Sequence, residues 1–232
     1  MNIAIITARG GSKRIPKKNI KEFCGKPIIA YSIDAALKSG IFDEVMVSTD
    51  SKEIAEIAKK YGASVPFLRS EKTSNDWATT SDVIKEVLER YSELGQDYDK
   101  FCCIYPTAPF VTSERLKESF KILKERNAFS VVPVVRFSFP PQRGFIIDND
   151  LLSLPFPEFK NVRSQDIQPM YHDAGQFYTV LTDAFKSENS VVTSKSAPIV
   201  LSEDEVQDID TLDDWHMAEL KFKIKKRKDE II

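Results

Sequence analysis

Short apolar runs rich in β-branched residues alternate with amphipathic segments along most of this chain. The runs predict strands at Asn2–Thr7, Glu44–Thr49, Ser64–Leu68, Lys100–Tyr105 and Ser130–Val135. The segments between them predict helices at Pro27–Ser39, Ser51–Tyr61, Thr80–Leu94 and Ser113–Glu125. Strands and helices that alternate at this length predict an α/β fold, with a Rossmann-like, mostly parallel sheet and helices on both faces.

Local signals mark the helix ends and the edge of the sheet where a ligand is expected. Asp50 or Ser51 can cap the second helix, which Gly62 ends, and the Thr79–Asp82 run can cap the third. Ligands of open parallel sheets bind at the carboxyl ends of the strands. A site is therefore expected in the turns that follow Ile6, Ser48, Leu68 and Tyr105.

The chain length suits a single domain with one irregular insertion. All 232 residues, 1–232, are assigned to this domain. Residues 137–171 lack helical periodicity and contain five prolines, at positions 140, 141, 155, 157 and 169. Such a segment is typical of a hairpin, a lid or a subunit contact.

Charge and cysteine content limit the partners and the compartment. The net charge of -2 gives no overall attraction to nucleic acid or to anionic lipid, so a bound anion needs a local basic cluster.

The apolar run Ile3–Ile6 is too short for a signal peptide or a membrane span. Three cysteines are too few for a disulfide framework, which predicts a cytoplasmic protein with reduced thiols. The basic tail Lys221–Lys228 is interpreted as a solvated helix end.

A basic loop follows the first predicted strand. It groups five cations around a pair of glycines: Arg9, Lys13, Arg14, Lys17 and Lys18 around Gly10 and Gly11. Paired glycines let backbone N–H groups turn toward an anion that the cations neutralise, so the loop predicts a nucleoside triphosphate site. The spacing matches neither G-x-x-x-x-G-K-[ST] nor G-x-G-x-x-G. A solvated basic turn is the alternative.

Two further segments carry side chains that suit chemistry. Asp208 and Asp210 flank Ile209, and an extended backbone places both carboxylates on one side, where they suit Mg²⁺. Asp210 could instead cap a helix at Thr211–Leu220. The aromatic and polar run Tyr171–Tyr178 could line a pocket, although a strand with alternating core residues would look similar.

Five ordered blocks resemble a known family. The segment Ala8–Asn19 is similar to the signature of cytidylyltransferases that activate nine-carbon keto sugar acids. The other blocks are Val47–Asp50, Leu68–Glu71 with Asp76–Thr80, Tyr105–Pro109, and Asp208–Thr211 with Asp213–Trp215 and Ala218-Glu219. The resemblance extends from about Asn2 to Glu219 and implies transfer of CMP from CTP to the anomeric hydroxyl of the sugar acid.

The resemblance also implies residue roles. Triphosphate binding and catalysis are implied for Arg9, Lys13 and Lys18, with Ala8, Gly10, Gly11 and Ser12 in the same nucleotide-binding loop. Nucleoside contact is implied for Asn19, cytosine selection for Arg69, Ala78 and Thr80, and catalytic Mg²⁺ binding for Asp208 and Asp210. Sugar binding is implied for Tyr105, Arg163, Gln165, Gln176, Phe177 and Tyr178. The insertion is the region through which such enzymes form homodimers, each subunit reaching toward its partner's site.

Two differences from the family's usual sequence bear on which sugar acid is the substrate. Sialic acid synthetases usually have Gln at the position of Tyr105, and Asn-Gly-Ala where this chain has Ala174-Gly175-Gln176. The run Tyr171–Tyr178 is similar to the pseudaminic acid branch of the family, which implies that sugar acid as substrate. N-acetylneuraminic or legionaminic acid is one alternative, and a non-catalytic nucleotide sensor is another.

Overall fold

The computed structural model describes residues 1–229, so the last three residues of the predicted domain lie outside it. The strands are β1 Asn2–Thr7, β2 Glu22–Phe23, β3 Lys26–Pro27, β4 Glu44–Ser48, β5 Lys100–Ile104, β6 Ser130–Arg136, β7 Ile146–Asp148, β8 Leu151–Ser153, β9 Tyr171–Asp173, β10 Phe177–Leu181 and β11 Ser196–Leu201. The helices are α1 Ile29–Ser39, α2 Lys52–Lys60, α3 Glu71–Ser74, α4 Thr80–Glu93, α5 Ser113–Glu125, α6 Thr182–Glu188 and α7 Leu212–Asp229.

Seven strands form one mostly parallel sheet. Its order is β11-β6-β10-β5-β1-β4, and β9 pairs with β6. Strand β1 is parallel to β4 and β5, and β11 is parallel to β6, whereas β10 and β9 run antiparallel to their neighbours. This confirms the predicted α/β fold with a mostly parallel sheet.

The sheet is covered on both faces because its strands alternate their buried side chains. Ile6 packs on one face with residues of α1, α2 and α5, and Ile5 packs on the other with residues of α4 and α6. Burying one isoleucine side chain stabilises a fold by about 1.5–3 kcal/mol, so both layers contribute strongly. Because β1 runs parallel to both β4 and β5, the carboxyl ends of these three strands meet at one edge of the sheet.

A third hydrophobic cluster joins the basic loop to the end of the chain. It contains Ile15, Phe23, Ile28, Phe110, Ile209, Trp215 and Ala218. The ring of Phe23 lies edge-on to Trp215 and to Phe222, each with centroids 5.5 Å apart. Phe222 packs against this cluster, so α7 continues past Leu220 to Asp229. Residues 221–228, interpreted as a solvated helix end, are thus helical, but Phe222 is packed and not fully solvated.

Two other predicted elements need correction. Residues 64–68 form only an isolated bridge between Ser64 and Met46, not a strand, because Pro66 has no N–H to continue a ladder. The helix predicted from Pro27 begins at Ile29, since Pro27 pairs with Glu22 in the small β2–β3 ladder. The predicted caps are confirmed at Ser51 and Thr79.

The insertion at residues 137–171 lies outside the sheet except at Tyr171, where β9 begins. It contains the two-stranded hairpin β7–β8 and short 3-10 turns. Several of its large apolar side chains are exposed, with Phe139 at 80% and Ile147 at 74% of their accessible surface. An apolar surface of this kind is typical of a segment that contacts another molecule.

Candidate active site

A cleft of about 250 Å³ lies at the carboxyl ends of β1 and β5, at the sheet edge where a ligand was expected. Nine of the predicted site residues line it: Arg9, Ser12, Lys13, Lys18, Asn19, Arg69, Ala78, Thr80 and Tyr105. They come from the loop after β1, from the segment that leads into α4, and from the turn after β5. The fold therefore brings together three of the five motif blocks that are separated in sequence.

Hydrogen bonds and a close backbone approach shape the basic loop. The buried side chain of Asn19 donates from Nδ2 to the carbonyl of Arg9 at 2.8 Å, and the N–H of Gly10 donates to Oδ1 of Asp50 at 2.7 Å. A Cβ atom on Gly10 would lie 3.2 Å from Cβ of Ser51, so glycine permits this approach. Asp50 therefore fastens the loop, whereas the neighbouring Ser51 caps α2.

Each cation in the cleft has a partner on a distant segment. Arg9 donates from Nη1 to Oδ1 of Asp76 at 2.9 Å, and Lys13 donates to Oδ2 of the same carboxylate. Arg14 donates from Nη2 to Oδ1 of Asp210 at 2.9 Å. Hydrogen bonds from Lys13 and Arg9 lower the pKa of Asp76. No role was assigned to Asp76 from the sequence, although it opens the block Asp76–Thr80.

Arg69 forms the buried side of the cleft. Its Nε donates to Oγ of Ser48 at 3.1 Å, and its Nη2 donates to the Ser48 carbonyl at 2.6 Å. Burial lowers the pKa of Arg69 to about 10, against the opposing effect of Asp50 and Glu86, so the guanidinium remains charged at neutral pH. These bonds hold a planar donor group in one orientation, which suits recognition of a polar ring.

Asp208 and Asp210 lie beside the loop, with Ile209 buried between them. Partial burial, followed by the charge of Asp210, raises the pKa of Asp208. Lys18 lies 3.6 Å from Oδ1 of Asp210. Thr211 accepts the N–H of Asp214 at 3.2 Å, so Thr211, not Asp210, caps α7. The capping alternative for Asp210 is therefore wrong.

The pair suits a hard divalent cation. Residues 1–229 contain no cluster of three or more acidic, histidine or cysteine ligands. Mg²⁺ is commonly held by one or two carboxylates, with phosphate oxygens and waters completing its shell. Two carboxylates beside a basic loop match that donor set.

A second cavity, of about 430 Å³, adjoins Asp208. Asp173 and Gly175 also line it. The hydroxyl of Tyr178 donates to Oδ2 of Asp173 at 2.6 Å, and the rings of Tyr178 and Tyr105 lie edge-on with centroids 5.7 Å apart. Tyr105 lines the first cleft and Asp173 lines the second cavity, so Tyr178, which contacts both, links the two. Asp173 was not singled out from the sequence.

Several residues predicted to bind the sugar lie elsewhere. Phe177 is fully buried in the core. Side chains of β10 alternate between the two faces of the sheet, so only the neighbouring Tyr178 faces Tyr105. Gln176 is also buried, and its Nε2 donates to the carbonyl of Glu205 at 2.5 Å. Arg163 is exposed on the insertion, and Gln165 lines a separate depression. Their assignment to a pocket within one chain is not supported by this geometry.

The remaining loop residues are placed as follows. Ala8 is buried at the end of β1, with its N–H bonded to the carbonyl of Ser48 at 2.9 Å, and Gly11 is exposed at the tip of the loop. The position of Gly11 is compatible with a backbone contact to an anion, whereas the N–H of Ala8 is already bonded to Ser48. No helix among residues 1–229 has the length and apolar character needed to cross a bilayer.

Solved structures show which class of protein has this fold. The chain aligns over 97% of its length with a CMP:2-keto-3-deoxy-manno-octonic acid synthetase complexed with CTP, with a TM-score of 0.69 and 16% identity. It aligns over 96% with a 4-diphosphocytidyl-2C-methyl-D-erythritol synthase from Anaerococcus prevotii, with a TM-score of 0.64 and 16% identity. The fold is thus that of the Rossmann-like nucleotidyltransferases.

Sequence relatives narrow the class to a family. The family model named cytidylyltransferase matches residues 3–207. A pseudaminic acid cytidylyltransferase of Campylobacter jejuni is 41% identical over 96% of this chain and 97% of its own length. A CMP-N,N'-diacetyllegionaminic acid synthase of Legionella pneumophila is 37% identical over 94% of both chains. The chain belongs to the cytidylyltransferase family and is a nucleotidyltransferase enzyme.

Proposed function

We propose that this enzyme transfers CMP from CTP to the anomeric hydroxyl of pseudaminic acid and releases pyrophosphate. The observation that carries the proposal is the contact between the basic loop and the Asp208–Asp210 segment beside the cleft, through Lys18. The 41% identity to the Campylobacter jejuni enzyme along nearly the whole chain supports pseudaminic acid. Legionaminic and N-acetylneuraminic acids are the alternatives, with relatives at 37% and 32% identity.

The nucleotide would lie along the first cleft. Arg9, Lys13 and Lys18 would neutralise the triphosphate, each charge-assisted contact contributing roughly 1.5–3 kcal/mol. Arg69 would present its fixed donors to the cytosine ring, beside Ala78 and Thr80. The base and the triphosphate would thereby bind to different walls of the cleft.

Asp208 and Asp210 would hold Mg²⁺ with help from the phosphates. When bound, the ion would supply positive charge that stabilises the phosphate oxygens. The protein's own contribution is to hold the two aspartates in position beside the loop. Ile209 is buried between the two aspartates, and Lys18 binds its carbonyl at 2.6 Å, so the backbone that carries both carboxylates is held beside the loop.

The sugar acid would occupy the second cavity, with Tyr105 and Tyr178 between it and the nucleotide. Its anomeric hydroxyl oxygen would form a bond to the α-phosphorus and release its proton to solvent. The bond to the bridging oxygen would break, and pyrophosphate would leave with that electron pair. Such a transfer depends on alignment and charge neutralisation, and it needs no nucleophilic side chain.

The exposed insertion would form a homodimer. Phe139, Ile147 and Leu151 provide an apolar surface that a second copy of the chain can cover. Dimerisation would also bring Arg163 toward the partner's site, which explains why it does not reach the cleft of its own chain. Light scattering after gel filtration tests this, because Ile147→Asp with Leu151→Asp should give a monomer.

A pyrophosphate-release assay with CTP, Mg²⁺ and each candidate sugar acid tests the reaction. Pseudaminic acid should give the highest kcat/KM. Higher activity with legionaminic or N-acetylneuraminic acid would reassign the substrate. No release with any of the three sugars, together with tight CTP binding, would favour a nucleotide sensor. The cytoplasmic location and the lack of a nucleic-acid partner stay predictions.

A further inference from the structure

Asp76 forms ion pairs with two cations assigned to the triphosphate. One carboxylate oxygen accepts a 2.9 Å hydrogen bond from Nη1 of Arg9, and the other accepts a hydrogen bond from Lys13. Within residues 1–229, no further side chain donates to this carboxylate. All of its polar partners thus belong to the nucleotide cleft.

The carboxylate of Asp76 does not hold its own loop in place. Between α3 and α4, Oδ1 of Asn75 accepts the N–H groups of Trp77 and Ala78 at 2.8 and 3.0 Å. Thr79 and Asp82 then form the capping box that begins α4. The backbone turn is therefore made by neighbouring residues, while Asp76 extends toward the cations.

We propose that Asp76 is a tethered counter-ion of the triphosphate site, which the phosphates of CTP must displace from Arg9 and Lys13. A triphosphate offers several anionic oxygens to the same loop, so it can replace both ion pairs at once. An anion that makes fewer contacts competes poorly with a carboxylate held at high local concentration. Asp76 would therefore weaken the binding of all phosphate ligands and select those with several charges.

This inference rests on the proposed function, because it assumes that Arg9 and Lys13 bind the triphosphate. Exposed ion pairs contribute only modestly, because water and salt screen them. Removing the carboxylate should therefore tighten phosphate binding by about three- to tenfold. A ligand without phosphates should be unaffected.

Calorimetric titration of Asp76→Asn with CTP, pyrophosphate and cytidine tests the idea, with Mg²⁺ present throughout. The Kd of CTP and of pyrophosphate should each fall about three- to tenfold, by the same estimate for two exposed pairs. The Kd of cytidine should stay the same. Asp97→Asn is the matched control, because it removes the same charge from an exposed loop before β5, at the opposite edge of the sheet.

An unchanged or higher Kd of CTP in Asp76→Asn would overturn the inference, and a higher value would indicate that Asp76 helps to hold the nucleotide. Equal tightening of CTP and cytidine would also overturn it, because the change would then concern the base. Failure of both the wild-type protein and Asp76→Asn to bind CTP would instead contradict the proposed function.

The two tryptophans provide a second readout. Trp77, next to Asp76, is 90% exposed, whereas Trp215 is 2% exposed in the third cluster. Displacement of Asp76 should change Trp77 fluorescence when CTP or pyrophosphate is added, but not when cytidine is added. Trp77→Phe should remove this signal. A signal equally strong with cytidine would contradict displacement by the phosphates.

Discussion

Lys18 donates a 2.6 Å hydrogen bond to the backbone carbonyl of Ile209, which lies 191 positions further along the chain. The bond joins the loop after β1 to the segment that carries both carboxylates. Ile15 and Ile209 are buried in the same cluster beneath it. Apolar packing thus holds the basic and acidic halves of the proposed site together.

Replacing Ile209 should weaken both the fold and the site. Ile209→Ala should lower the free energy of unfolding by about 2–4 kcal/mol, as expected for a buried isoleucine. Urea denaturation measures this change. Ile224→Ala is the control, because Ile224 is 56% exposed on α7 and should change stability by less than about 0.5 kcal/mol. Equal losses in both variants would argue against a role for the cluster.

Removing Asp210 should abolish turnover while CTP binding largely survives. Asp210→Ala deletes one of the two carboxylates proposed for Mg²⁺, and kcat should fall by at least about a hundredfold, equivalent to about 2.7 kcal/mol. Steady-state kinetics and calorimetry separate the two effects. Asp213→Ala, an exposed change in the first turn of α7, should retain activity. Normal turnover in Asp210→Ala would contradict the metal assignment.

Arg69→Lys should weaken CTP binding even though the substitution keeps the positive charge. Lysine cannot reproduce the two bonds from Nε and Nη2 to Ser48, so the donor group loses its orientation. We expect the Kd of CTP to rise about tenfold or more, equivalent to at least about 1.4 kcal/mol, and the preference for CTP over UTP to fall. Arg90→Lys is the control, since Arg90 bonds the Leu68 carbonyl outside the cleft. An unchanged preference would remove Arg69 from base selection.

Tyr178→Phe should raise the KM for the sugar acid without changing the KM for CTP. The change removes the hydroxyl that orients Asp173 at the second cavity. The increase should be about five- to twentyfold, from a bond to a charged group. Tyr91→Phe also removes a hydroxyl bonded to a carboxylate, that of Glu44, but away from both cavities. A matching increase in the KM for CTP would contradict a role specific to the sugar.

Glu205 should stabilise the fold in a pH-dependent way. Burial alone would raise the pKa of Glu205, but hydrogen bonds from Arg115 and Ser202 outweigh it and lower the pKa to about 2. The ionised form is therefore favoured in the folded state, so its contribution is present above the unfolded pKa of about 4.3 and is lost as the pH falls toward 2.

Glu205→Gln should consequently lower the free energy of unfolding by about 1–3 kcal/mol at pH 7. The difference from the wild type should shrink below about pH 4.3, the unfolded-state value for glutamate. Urea denaturation at a series of pH values measures this. Glu118→Gln is the control, because Glu118 also pairs with Arg115 but is more exposed. A difference that is constant with pH would exclude the ionised pair as its source.

Local patterns in the sequence predicted most elements of the first 136 residues, but not β9, β10, β11 or α6. The period of apolar residues predicted β1, β4, β5 and β6 and the four helices among them to within two residues at each end. The prediction went wrong where tertiary contacts decide. Pro27 joins a two-stranded ladder instead of a helix, and Phe222 extends α7 because aromatic side chains from three distant segments surround it.

The sequence by itself determined the basic loop, the carboxylate pair and the alternation of strands and helices as far as β6, because glycine spacing, charge and periodicity are local properties. Only the tertiary structure decided which distant side chains meet. It paired Lys13 with Asp76 across 63 positions, and it buried Phe177 while Tyr178 reached Asp173. Alternation along a strand separates neighbours onto opposite faces, but the packing of the whole sheet decides which face meets the cleft.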